Sequence, residues 1–315
     1  MKRILTLTII ATLSVLGSSA QIREETVELH SGDCTLQGSL MLPSGYDYSS
    51  VALLISNSST ADRDGNERVM RNYALKMMAT SLAQRGIASL RYDKRGVGAS
   101  RYDSYEQNDR SLSAQANDIK NLVNSLRLDK RFAKVVVVGH GEGALLGMLA
   151  ITRGAVASGF VSVEGVGRSF DQVLKDQLAN QPIQMRDIAY EIIDTLKTGK
   201  QYPNVPVFLS SFFAPQLQPY LISSMKYNPQ LLIRSLKIPV LVLHGDTDIK
   251  VRVEDARLLS AANPNSKLVV IAGMNHVLKD CPSLERSIQI PTYANPGLPI
   301  SRLLVSELTK FIDDL

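Results

Sequence analysis

Much is scarce in this 315-residue chain, and each scarcity removes a class of protein. It holds two cysteines, Cys34 and Cys281, too few for the disulfide framework of a small secreted domain. They stand far apart and read as two separate thiols, although an oxidising compartment would permit a bridge. No block of basic residues occurs. Charges of both signs alternate along the chain, which argues against a nucleic-acid partner. The N-terminal apolar run, Ile4 to Leu16, is short and threonine-rich, which disfavours a membrane span. No internal repeat and no low-complexity tract is present.

What stands at the N-terminus has a different pattern. Lys2-Arg3 precede the apolar run, and Gly17-Ser18-Ser19-Ala20 follow it. A basic start, an apolar stretch and a small-residue site predict a signal peptide over 1–20, cleaved near Ala20. Export to a periplasmic or secreted location is the expectation. No cysteine follows the small-residue run, so a lipid-anchored start is not indicated. About 295 residues then remain, enough for one large domain with an insertion. Without Lys2 and Arg3 the formal charge falls from +5 to +3.

The chain is organised around Val135-Val136-Val137-Val138-Gly139-His140-Gly141-Glu142-Gly143-Ala144. A run of valines predicts a buried strand, the glycines a sharp turn, and the small residues after them a helix. The turn has the frame of a nucleophile elbow, G-x-S-x-G, but its central serine is missing: Gly141 stands there. The frame has a steric origin, because the turn is so tight that its flanking positions take only small residues. The N–H of the following residue, Glu142, points at a developing oxyanion in such a turn.

Elsewhere the pattern alternates. Segments 26–30 and 35–42 predict an antiparallel pair. Strands are expected at 51–56, 87–92, 133–138, 159–163, 238–245 and 267–271. Helices are expected near 73–85, 112–126, after the elbow, at 253–262 and at 301–312. Such alternation predicts an α/β fold with a mostly parallel, doubly wound sheet. It breaks between 165 and 236, where two helical stretches precede a proline- and aromatic-rich run. The expected organisation is a core of 21–164 and 237–315 with a helical cap insertion at 165–236.

Ligands of open α/β sheets bind at the carboxyl ends of strands. Two further loops there carry chemistry: His244-Gly245-Asp246-Thr247-Asp248 and Gly273-Met274-Asn275-His276. Nucleophile position, acid, histidine is the chain order of an α/β-hydrolase triad. In that order His276 is the general base and Asp248 holds its tautomer. Asp248 also suits a helix N-cap, and Asp246 is a second choice of acid.

These pieces, with Asp62-Arg63-Asp64-Gly65 and Arg91-Tyr92-Asp93-Lys94-Arg95-Gly96-Val97-Gly98, resemble secreted bacterial α/β-hydrolases of the serine-esterase and serine-aminopeptidase-like group. The resemblance implies cleavage of small carboxylic esters without a cofactor or metal, and places acid and base on Asp248 and His276. Three departures stand out. Gly141 replaces the nucleophile. Asn57-Ser58-Ser59-Thr60 replaces a glycine-rich loop that gives the second oxyanion N–H, here assigned to Ser58. Glu164 replaces a small residue. Glu164 is expected to be paired or solvent-facing under the cap, with an auxiliary catalytic role as the competing reading. Arg91, Lys94 and Arg95 are expected in structural ion pairs.

Losing such a serine costs about 10⁶ in kcat. The sequence therefore predicts an inactive or strongly impaired ester hydrolase homologue that keeps a pocket for a small ester or acid. A serine-free enzyme using His276 and Asp248 with Glu164 as general base stays open, as does a non-catalytic binding protein on the same fold. Ser58 or Ser59 as nucleophile, and a metal on Glu164, Asp248 and His276, are the weaker alternatives. The oligomeric state is not legible.

Overall fold

The computed structural model describes residues 22–44, 49–104 and 109–315, with the backbone of 8–10. The expected signal peptide lies outside the described residues, except that Thr8–Ile10 (β1) pairs antiparallel with the next strand. That strand, β2 (Arg23–Ser31), forms a hairpin with β3 (Cys34–Leu42). Gly32, at φ 68°, makes the turn between them, a left-handed conformation that glycine adopts without a Cβ clash.

The remaining strands are β4 (Ser50–Ile55), β5 (Ala88–Tyr92), β6 (Arg101–Tyr102), β7 (Lys134–His140), β8 (Gly159–Val163), β9 (Val240–Gly245) and β10 (Ser266–Ile271). Their order is β1-β2-β3-β5-β4-β7-β8-β9-β10, with β6 on β3. From β5 to β10 every pairing is parallel. The expected α/β fold is the one observed.

Helices α1 (Ala74–Ala83), α2 (Leu112–Leu128) and α3 (Glu142–Thr152) connect the first parallel strands. Between β8 and β9 come α4 (Phe170–Leu178), α5 (Ile183–Lys197), α6 (Ser210–Phe213), α7 (Gln218–Met225) and α8 (Pro229–Ser235), with no strand among the described residues there. Helices α9 (Val253–Ala262), α10 (Arg286–Tyr293) and α11 (Arg302–Asp313) complete the chain.

The valine run shows why the central strands lack alternation. Val135 and Val137 pack with α2, α3 and α9, while Val136 and Val138 pack with α1 and α11 on the opposite face. Side chains of a strand alternate between faces, and both faces here are covered, so every position must be apolar. The cap has its own core, where Leu178, Ile192, Ile193, Leu196, Leu209 and Phe213 meet.

Prolines shape two of these elements. The proline-rich run of the cap is helical, because its prolines open helices: Pro219 and Pro229 stand in the first turns of α7 and α8, where a missing N–H costs nothing. Helix α10 has no counterpart in the sequence reading, since Pro291 lies inside it and breaks the helical pattern.

Candidate active site

The elbow folds as the sequence requires. β7 ends at His140, α3 begins at Glu142, and Gly141 sits between them at φ 54°, ψ −118°. A Cβ on Gly139 would meet the Gly143 carbonyl at 2.3 Å, and one on Gly143 would meet the Ile55 carbonyl at 2.5 Å. Those contacts are backbone and cannot yield, so both positions must be glycine. Gly141 keeps the strained geometry of a nucleophile although it has no side chain to present.

The neighbouring loop lies close against the apex. The Glu142 N–H donates to the Asn57 carbonyl at 3.1 Å. A Cβ at Gly141 would lie 3.1 Å from both Asn57 Cβ and Asn57 O. The amide expected to face an oxyanion is thus already engaged, a correction to its assignment as a free donor. Ser58 lines the pocket. Its hydroxyl donates to Glu67 at 2.8 Å and its carbonyl accepts from Lys94 at 2.7 Å.

His276 and Asp248 meet. His276 Nδ1 donates to Asp248 Oδ2 at 2.7 Å, which leaves Nε2 as the ring's other polar atom. His276 and Gly141 line the same cavity. Asp248 does not cap a helix: α9 is preceded by Arg252, and Asp248 Oδ1 accepts the N–H groups of Lys250 and Val251 at 2.6 and 3.0 Å. Against the effect of burial, the His276 imidazole first and the Val251 N–H after it hold its carboxyl well below the usual range. Asp246, the second choice of acid, instead accepts from Gly273 N–H.

The second residue of the elbow has a job the sequence did not reveal. His140 Nε2 lies 2.8 Å from the His276 carbonyl. A carbonyl only accepts, so Nε2 carries the proton. Burial, then the neighbouring His276 ring, lowers the His140 pKa to about 3, so the ring stays neutral.

Glu164 is neither solvent-facing nor in the pocket lining. It is wholly buried, at φ 51°, with Oε1 accepting Gly245 N–H at 2.8 Å. Burial and the adjacent Asp248 raise its pKa well above the carboxylate range. Arg91 pairs with Glu24 and Asp64, and Arg95 with Asp118 and Asp33. Lys94 goes further than a structural pair: its buried ammonium approaches Glu142 to 3.6 Å beside the cavity. Glu142 also accepts the Tyr220 hydroxyl from α7, tying cap to elbow.

The cavity holds about 330 Å³ between core and cap, with Phe170, Tyr220, Tyr227 and Tyr293 among its walls. That volume fits a small organic ligand. Arg168 fastens the cap over it by bonding Asp255 at 2.9 and 2.8 Å.

The family model described as serine aminopeptidase, S33, matches residues 70–279, more than half of the chain. The chain belongs to this α/β-hydrolase family. The S33 match spans the elbow, the cap and both the Asp248 and His276 loops. Esterase EstD of Thermotoga maritima is 24% identical over 247 residues, covering 77% of this chain. This chain covers 58% of EstD's own length. Est1E from Butyrivibrio proteoclasticus, solved with ferulic acid bound, superposes with a TM-score of 0.59 at 18% identity, covering 91% of this chain and 99% of that one. The Pyrococcus furiosus esterase PF2001 gives 0.59 at 18% identity, covering 95% of each. These structural likenesses establish the fold of this S33 chain.

Proposed function

We propose that this protein is an esterase-type α/β-hydrolase that binds a small ester or carboxylic acid and does not form an acyl-enzyme. The observation that carries this reading is the apex of the elbow. Gly141 offers no nucleophile, and the Glu142 amide beside it is bonded to Asn57. Without the hydroxyl there is no covalent intermediate. Without a free amide, the developing oxyanion loses a donor worth about 10²–10³ in rate. The cavity between cap and elbow supports retained binding, as does the ferulic acid held by Est1E.

The test is turnover of a short-chain activated ester by the parent, Gly141→Ser, and Gly141→Ser with His276→Ala. The parent should show almost none. Gly141→Ser should gain measurable hydrolysis, and His276→Ala should remove it again. High parental activity that His276→Ala abolishes would overturn the reading.

That outcome belongs to a second reading, favoured by the intact His276–Asp248 bond. An imidazole held in one tautomer can take a proton from water or from a substrate directly. Export after cleavage near Ala20 is part of the proposal, supported by Lys2-Arg3 and the apolar run. Sequencing the N-terminus of the protein recovered outside the cytoplasm tests it; a chain beginning at Met1 would refute it.

A further inference from the structure

Behind the Asp248–His276 pair, away from the cavity, lies a second set of ionisable groups. Glu164 at the end of β8, His244 on β9 and Asp248 after β9 place one oxygen or nitrogen each within 4.8 Å of one another, all buried. Glu164 Oε2 and His244 Nδ1 face each other at 3.1 Å. Both atoms are sealed from solvent and neither has a conventional hydrogen bond.

The donors and acceptors decide what lies between them. His244 Nε2 is 3.2 Å from the Val251 carbonyl, which only accepts, so Nε2 carries the ring proton. Nδ1 of the neutral ring is then a lone pair. A lone pair aimed at an ionised carboxylate would leave two buried acceptors in contact, each unsatisfied. One proton resolves the conflict. Asp248 is the wrong place for it, because Asp248 already accepts Lys250 N–H, Val251 N–H and the His276 ring. Glu164 has Gly245 N–H on Oε1 alone, leaving Oε2 to hold a hydrogen.

We propose that Glu164 is a neutral carboxylic acid whose Oε2–H donates to His244 Nδ1, so that an uncharged acid–imidazole pair lies behind Asp248 and adds no second charge beside it. The contacts run in two short chains, His276 to Asp248 and Glu164 through His244 to the Val251 carbonyl, with Glu164, His244 and Asp248 within 4.8 Å of one another. Two buried carboxyls can lie this close because only one is ionised. Burial and the adjacent Asp248 raise Glu164 accordingly. The other titratable groups that act on these residues are Tyr293 on α10, whose hydroxyl is raised by burial and by Asp248 and Glu164, Asp255 on α9, and His140 on β7.

A metal ion is the competing occupant of this trio. A carboxylate, a carboxylate and an imidazole are a poor zinc set, and all of Asp248's oxygens are engaged. A proton needs no further ligands and fits the 3.1 Å separation.

The inference rests on reading His276 and Asp248 as the pocket's base pair, and its test needs no turnover. With four histidines in the chain, the His276 ring can be titrated by NMR in labelled protein. Glu164→Gln keeps a carbonyl for Gly245 and an N–H for His244 Nδ1, and is neutral like the acid it replaces, so the His276 pKa should move by less than about half a unit. Glu164→Leu leaves His244 Nδ1 buried without a partner and should lower the urea midpoint below that of Glu164→Gln. Infrared difference spectra should show a neutral carboxylic acid band in the parent near neutral pH, absent in Glu164→Gln; this arm stands even if Glu164→Leu does not fold.

A fall of a unit or more in Glu164→Gln would mean that Glu164 is ionised, and would overturn the proposal. So would a parent without the acid band, or equal urea midpoints in Glu164→Gln and Glu164→Leu. So would one equivalent of metal surviving dialysis against chelator and lost in Glu164→Gln. Failure of any of these leaves the Gly141→Ser experiment untouched, so the two readings fail separately.

Discussion

The Asn57 carbonyl takes the amide proton of Glu142 across 3.1 Å. In a working elbow that amide waits for the substrate oxygen. Here a backbone acceptor from the loop after β4 has entered the room that a side chain at Gly141 would need. Restoring serine therefore meets a second obstacle. Gly141→Ser alone should recover only a small part of a serine esterase's rate. Adding Asn57→Gly removes the Cβ that the introduced serine would press on and frees the loop to withdraw. The double variant should exceed the product of the two single effects in kcat/KM on a short activated ester, by about tenfold or more if one oxyanion donor is regained. Simple multiplicativity would mean that the loop does not matter.

Asp248 should matter only where His276 is asked to move a proton. In the Gly141→Ser background, Asp248→Asn should lower kcat by about 10⁴, because the amide favours the wrong tautomer of the ring. An unchanged rate would show that the imidazole is held in place by other contacts.

Acid should destabilise this fold earlier than carboxylate titration alone would. His140 is buried and neutral, with its pKa lowered from 6.5 to about 3. Between those values the unfolded chain binds a proton that the folded chain refuses. Stability is therefore fully present above pH 6.5 and is lost as pH falls toward 3, by up to about 1.4 kcal/mol per pH unit. His244, also lowered by burial, adds to the same slope. Asp248 begins to contribute only below 3.8. Urea unfolding at pH 7.0, 6.0 and 5.0 should show the decline, and His140→Gln should make it shallower. Parallel slopes would contradict the assignment.

One buried carboxylate anchors the start of the cap. Asp255 has no exposure and takes the Gly167 N–H together with the backbone and guanidinium of Arg168. Arg168→Ala leaves that charge with backbone N–H groups alone and no counter-ion, and should cost about 3 kcal/mol, read as a lower denaturant midpoint. A loss below about 0.5 kcal/mol would place the pair among ordinary surface bridges.

Tyr220 joins α7 to the first residue of α3 through its hydroxyl on Glu142. Tyr220→Phe removes one hydrogen bond to a charged group, worth about 1.5–3 kcal/mol. Amide exchange in α7 should quicken while that in α1 and α11 stays unchanged. Equal exchange in α7 would show that the cap is held by its apolar contacts alone.

The sequence determined the parts that depend on near neighbours and on steric rules. The all-apolar run Val135–Val138 announced a strand covered on both faces. The spacing of Gly139, Gly141 and Gly143 announced a turn at whose flanks an added Cβ would lie within 2.5 Å of backbone. The order of Gly141, Asp248 and His276 was readable along the chain, and the parallel sheet brings the three strand ends together. Tertiary structure alone decided the rest. Asn57's engagement with Glu142 is made by a backbone carbonyl, which no residue type encodes. His140's hold on His276 spans 136 positions, and a histidine in the elbow looks the same with or without it. Glu164 read as paired or solvent-facing because carboxylates are seldom fully buried alone. Only the packing of β8 against β9 shows it shut in with His244 and Asp248. Local pattern sets which segments form and where they turn. The protonation and occupancy of a site depend on which groups distant segments bring face to face, and that is settled when the chain closes.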